Sequence, residues 1–188
     1  MTPAKYNREG IPGLLKAVNA KRGVEVGVYE GRFSKMLLDR LDLDKLHSID
    51  PWLDANGDFD DEVYQVAVAS LKPYSDTCDI IIDSSPRAAG KFEDASLDFV
   101  YIDGEHSYEA TLADMRAWVS KIKPGGVLCG HDYSNVGNSI CKKFVKEEGQ
   151  QIQREVKKAV HTFIEEEPDK VYTLNLVMES CKSWWFFV

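Results

Sequence analysis

Apolar residues follow two alternating patterns along the chain. Short runs are apolar on both faces, as a sheet covered by helices on each side requires. Between them lie longer stretches in which apolar side chains recur every three or four positions, the mark of a helix with one buried face. The first run, residues 23–28, predicts a strand; after a glycine-containing turn, Phe33, Met36, Leu37 and Leu41 predict a helix over 33–41. A strand over 45–50 follows, then a helix over 61–71 with Val63, Val66, Ala67 and Ser70 on one face, stopped by Pro73. Residues 79–82 read as a third strand, a connection rich in Ser, Pro and Ala comes next, and residues 97–102 form a fourth. The strongest helical pattern runs over 108–122 through Leu112, Met115, Val119 and Ile122, with Pro124-Gly125-Gly126 as its stop and 127–130 as a fifth strand.

Residues 139–148 and 155–164 read as helices broken at Gly149, and strands over 171–176 and 183–187 face each other across a short connection that suits an antiparallel hairpin. Five βα units and a terminal hairpin predict an α/β fold, a doubly wound sheet with an antiparallel strand near one edge. Ahead of the first strand, Ile11, Leu14, Leu15 and Val18 make a short amphipathic helix within residues 1–22, placed to cap either the sheet or a ligand. At 188 residues the chain is expected to be a single domain.

Composition narrows the function. With 23 basic against 31 acidic residues the net charge is −8, which repels phosphate backbones; there is no basic patch to override it, so no nucleic-acid partner is expected. No stretch approaches the roughly 18 apolar residues of a membrane span, and the N-terminus has no apolar leader. Cys78, Cys129, Cys141 and Cys181 are widely spaced without a C-x-x-C pair, which suits reduced thiols in the cytoplasm. Trp184, Trp185, Phe186 and Phe187 alternate sides of the last strand; those left exposed offer a homodimer surface.

In an open parallel sheet ligands sit beyond the carboxyl ends of the strands, where the strand order reverses. Polar residues gather there. Gly27 and Gly31 flank the first turn, but Tyr29 occupies the middle glycine of a dinucleotide fingerprint, and the carboxylate of Glu25 suits a cationic ligand better than a diphosphate. Asp50 ends the second strand, where one carboxylate can hold two ribose hydroxyls or cap the turn before Pro51; Trp52 can stack on a base or cover the rim. Asp103 and Asp132 end adjacent strands, so their carboxylates converge, and such a pair favours a hard divalent cation. A magnesium ion there could chelate two vicinal hydroxyls and lower their pKa. His106, three residues beyond Asp103, faces the same mouth and suits a general base. The bland alternatives are a helix N-terminal role for His106 and a turn-capping role for His131 and Asp132.

The segment Ile102-Asp103-Gly104-Glu105-His106-Ser107-Tyr108, the Lys123-Pro124-Gly125-Gly126 turn and His131-Asp132-Tyr133, taken with the glycine loop and Asp50, resemble the class I methyltransferases that use S-adenosylmethionine. The likeness runs from about residue 24 to 160 and is closest to the small-molecule O-methyltransferase branch, macrocin-type or methyltransferase domain 24-like. The resemblance implies a seven-stranded Rossmann-like sheet of order 3-2-1-4-5-7-6 with strand 7 antiparallel. It implies Glu25, Gly27 and Gly31, with Tyr29 and Ser34 of the same loop, around the methionine part of the cofactor. Asp50 with Trp52 would meet the ribose and its surroundings, and Ser84 and Ser85 the adenine. Asp103 matches the strand-four acid, which falls to the cofactor as well as to the metal. Asp132, with His131 before it, matches the pair that binds magnesium in metal-dependent relatives, where an acid often stands in the place of His131, and His106 matches the histidine used as general base.

The expected reaction is methyl transfer from S-adenosylmethionine to a hydroxyl oxygen of a small molecule, with residues 135–154 as a substrate lid. Two other classes stay open. His106, His131 and a carboxylate could form a facial triad for a non-heme iron oxygenase, or the chain could bind S-adenosylmethionine without catalysis.

Overall fold

The computed structural model describes residues 10–133, 155–178 and 182–188. Seven strands lie in one sheet: β1 (Arg22–Val26), β2 (Lys45–Asp50), β3 (Cys78–Ile82), β4 (Leu97–Ile102), β5 (Ile122–Gly130), β6 (Asn175–Val177) and β7 (Ser183–Phe187). Their order is β3-β2-β1-β4-β5-β7-β6. The first five strands pair in parallel, and β7 runs antiparallel to both β5 and β6. The helices are α1 (Gly10–Ala17), α2 (Arg32–Arg40), α3 (Asp61–Leu71), α4 (Ser85–Ala89), α5 (Tyr108–Trp118) and α6 (Val156–Glu166). This is the doubly wound architecture that the hydrophobic pattern predicts.

Strand alternation sends successive side chains to opposite faces, and each face meets its own helices. On one side Val24, Val26, Val100, Ile102 and Leu128 pack with Leu112, Met115 and Trp118 of α5 and Ala159 and Phe163 of α6. On the other, Phe99, Tyr101, Val127 and Cys129 meet Ile11 and Leu15 of α1 and Phe33 and Leu37 of α2, with the Phe33 and Tyr101 rings stacked 4.1 Å apart. Each such aromatic or Leu side chain contributes roughly 1.5–3 kcal/mol by leaving water. The short N-terminal helix therefore covers the sheet, because its apolar stripe is spent on that face.

The chain departs from the periodicity around the Lys-Pro-Gly-Gly turn. The helix expected over 108–122 ends at Trp118, a 3-10 turn spans Val119–Lys121, and β5 begins at Ile122 rather than at 127. Ile122 pairs with Leu97 and Val127 with Phe99, so the strand takes up a register shift. Gly126 makes the crossing possible: a Cβ there would lie 2.7 Å from the Asp98 carbonyl. The sixth strand is also shorter than residues 171–176 suggest. Trp184 and Phe186 are buried, whereas Phe187 is the exposed apolar residue of β7. The helix expected over 139–148, the lid over 135–154, Cys141 and Cys181 fall outside the described residues. Among the described residues no helix is long and apolar enough to cross a membrane. Cys78 and Cys129 are buried free thiols, and burial pushes both thiol pKa values up.

Candidate active site

The sheet order reverses between β1 and β4, and a cleft of about 470 Å³ opens beyond their carboxyl ends. It is lined by the residues that follow β1, β2, β3 and β4 and by the first turns of α5.

The loop after β1 is held by backbone and by one carboxylate. Gly27 has φ +85°, and a Cβ on it would stand 2.3 Å from the Asp103 carbonyl oxygen and 2.5 Å from the Gly104 nitrogen. Only glycine lets the β1 and β4 tips approach so closely. Asp50 Oδ2 accepts the N–H groups of Val28 (2.8 Å) and Tyr29 (3.0 Å), while Oδ1 accepts that of Trp52 (2.7 Å). The turn-capping role foreseen for Asp50 is thus present in the structure. The Trp52 indole donates to the Tyr29 carbonyl at 2.9 Å and its ring meets Tyr64 edge-on, so this side chain is largely spent in packing at the cleft wall. Tyr29, Trp52 and Asp132 have φ of 53°, 46° and 52° at the tips of β1, β2 and β5. Left-handed backbone at non-glycine residues costs about 1–3 kcal/mol each and tends to gather at functional sites.

Not every residue assigned to the cofactor reaches the cleft. Gly27, Tyr29, Asp50, Trp52, Ser84, Ser85 and Asp103 line it; Glu25, Gly31 and Ser34 do not. Glu25 lies between Val24 and Val26 in β1, so alternation turns it to the opposite face, where it is buried and accepts the Ser34 hydroxyl. Ser34 in turn meets Ser48 at 2.7 Å, which reaches the Cys78 sulfur. Gly31 packs at the start of α2 near Leu71 and Ala67 of α3.

The far wall follows β3. The Asp83 carboxyl is held below the usual range by the Lys91 ammonium (2.6 Å), with Arg87 also close. Ser85 Oγ accepts the Trp118 indole N–H at 2.9 Å and hydrogen-bonds Asp114 of α5. Asp114 is 5 % exposed, and burial pushes its carboxyl up to about 6 against the lowering effect of Ser85, with the Glu105 charge adding to the rise.

Beyond Asp103 lies a cluster of two histidines and two carboxylates. His106 Nε2 stands 3.3 Å from Asp103 Oδ1 and 3.1 Å from Asp132 Oδ2. His131 Nδ1 is 3.6 Å from Asp103 Oδ1 and 3.4 Å from Asp132 Oδ1. Asp103, His131 and Asp132 each offer a ligand atom, all within 4.8 Å of one another. Two carboxylate oxygens and an imidazole so placed fit a divalent cation.

Asp50, Asp60, Asp83, Asp103, Glu105 and Asp114 all line the cleft, and among the described residues no Lys or Arg does. Such a field favours a cationic ligand over a diphosphate. Asp60, Asp83 and Asp114 escaped the sequence reading. Asp114 did carry a signal, since an acid among Thr111, Leu112, Met115 and Trp118 sits on the buried face of its helix.

Comparison with known proteins agrees with this architecture. An uncharacterized protein, y4gI, of Sinorhizobium fredii is 28 % identical over 126 residues, 63 % of this chain; the chain matches only 14 % of that protein's length. Many solved structures share the fold, among them three methyltransferases with SAM or SAH bound. SAH-bound methyltransferase PaMTH1 of Podospora anserina has a TM-score of 0.68 and 11 % identity, covering 95 % of this chain and 76 % of its own. The Bacillus cereus O-methyltransferase in complex with SAH has 0.63 and 12 %, covering 95 % and 79 %. The O-methyltransferase TomG of Streptomyces achromogenes, in complex with SAM, has 0.62 and 14 %, covering 94 % and 77 %. A family model described as a methyltransferase domain matches residues 24–133, more than half of the sequence, and the chain therefore belongs to the methyltransferase-domain family.

Proposed function

We propose that the chain transfers the methyl group of S-adenosylmethionine to a hydroxyl oxygen of a small molecule. The observation that carries this reading is the acidic cleft beside the strand-order reversal, which meets the paired carboxylates and histidines at Asp103. The sulfonium is a cation, and although Lys91 and Arg87 pair with Asp83, the remaining carboxylates of the wall leave a net acidic lining that suits it. Asp50 already accepts three N–H groups, and a carboxylate has about four acceptor sites, so one remains for a ribose hydroxyl.

In the transfer, the acceptor oxygen attacks the methyl carbon as the carbon–sulfur bond breaks, and the hydroxyl proton passes to His106. Asp103 and Asp132 orient that ring and stabilise the imidazolium as it forms. A divalent cation on Asp103, His131 and Asp132 would lower the pKa of a hydroxyl brought to it. The protein's remaining contribution is to hold donor and acceptor at attack distance.

The test is calorimetry with S-adenosylhomocysteine, joined to turnover of catechol and sugar acceptors with and without a chelator. Binding and chelator-sensitive turnover support the proposal; no binding at any metal loading overturns it. The proximity of His106, His131 and Asp132 also favours a second reading, a ferrous site of the two-histidine, one-carboxylate kind. Iron in the purified protein with no affinity for the nucleoside would establish that one. Binding without turnover over a broad acceptor panel would point to a binding protein.

A further inference from the structure

We propose that Asp114 recognises the adenine of the cofactor, its carboxyl O–H donated to a ring nitrogen and its C=O accepting the neighbouring exocyclic N–H. This rests on the reading of the cleft as an S-adenosylmethionine site.

The wall that Asp114 shares with Ser84, Ser85, Pro86, Ala110 and Ala113 is built from small side chains, leaving room for a flat ring. The acid is fixed in place. Ser85 Oγ accepts the Trp118 indole N–H, so its own O–H is free to point at Asp114. Among the described residues, the cations of the surrounding elements are turned elsewhere. Arg87 and Lys91, beyond β3, face Asp83; Arg116 of α5 faces Glu166 of α6; Lys158 of α6 lies over the Tyr108 ring. The charged groups on its own side of the cleft, Glu105 and Asp103, are acidic. Burial in that company lifts the carboxyl to about 6, so the neutral form is within easy reach near neutrality.

Adenine presents a bare ring nitrogen beside an N–H. A neutral carboxylic acid matches both, whereas a carboxylate offers acceptors only and repels the ring nitrogen. Asparagine presents the same donor and acceptor at every pH.

The experiment is titration calorimetry of S-adenosylhomocysteine between pH 5.5 and 7.5 on the wild type, Asp114→Asn and Asp114→Ala, each first shown to be folded by circular dichroism. Wild-type affinity should fall by up to about tenfold per pH unit above the free-protein pKa, with proton uptake on binding. Asp114→Asn should bind at pH 7.5 at least as tightly as the wild type and lose that fall, while Asp114→Ala binds more weakly throughout. A pH dependence that arises elsewhere in the cleft persists in Asp114→Asn, so the difference between the two proteins isolates Asp114. Binding that shows the same pH dependence in both, or an Asn variant as weak as the Ala variant, overturns the inference and leaves the methyltransferase reading standing. A wild type that does not bind the nucleoside at any pH overturns both.

Discussion

His106 Nε2 lies 3.1 Å from Asp132 Oδ2, although the two residues come from the ends of different strands. The ring thus has a carboxylate in place to hold it and to balance a positive charge. Replacing His106 with Gln should lower the turnover of a catechol acceptor by about 10²–10⁴-fold while leaving S-adenosylhomocysteine affinity within a few-fold. Paired kinetics and calorimetry check this; an unchanged turnover number would remove the histidine from the chemistry.

Asp132→Asn takes a negative charge from the candidate metal centre. Manganese binding, followed by electron paramagnetic resonance, should weaken by about tenfold or more, the size of effect expected for disturbing a metal site. The same loss is expected for Asp103→Asn, and substitution of Asp58, in the exposed loop before α3, should leave it unchanged.

Asp50 joins the glycine loop to the β2 tip through three backbone N–H groups. Asp50→Ala leaves those donors without their acceptor and should cost about 2–3 kcal/mol in urea unfolding, from the usual worth of hydrogen bonds to a charged group. S-adenosylhomocysteine affinity should fall with it. A variant of wild-type stability would show that the loop is held by other contacts.

Asp114 sets a pH dependence of stability. Its carboxyl titrates near 6 in the folded protein against an ordinary value of 3.8, so its contribution is full below the unfolded value and is lost as pH rises through about 6. Above that pH the ionised form costs ~3 kcal/mol. Asp114→Asn should therefore be more stable than the wild type at pH 7 and should lose that advantage near pH 4, as denaturant unfolding at the two pH values would show.

Much of the scaffold is legible in the sequence because its periodicities are clean. Lys45–Asp50, Asp61–Leu71 and Leu97–Ile102 form the predicted elements at the predicted bounds. Helix α4 is five residues long, too short for a 3.6-residue period to register, although Pro86 in its first turn is a start signal. At Ile122 helical spacing and strand identity coincide, and the strand prevails because that residue pairs with Leu97. The metal-type cluster is readable because strand ends converge by topology. The turn of Asp114 into the cleft and the burial of Glu25 on the opposite face of the sheet are settled by packing across the sheet, which a linear pattern records only as an acid among apolar neighbours.

The contact of Gly27 with Asp103 and Gly104 is made with no side chain on the glycine to cushion it. The floor of the cleft at Gly27 and the anchor of the metal-type cluster at Asp103 are in effect one stiff plate. A ligand that displaces the first by a fraction of an ångström must carry the second along, so the two halves of the cleft should fill and empty as a unit.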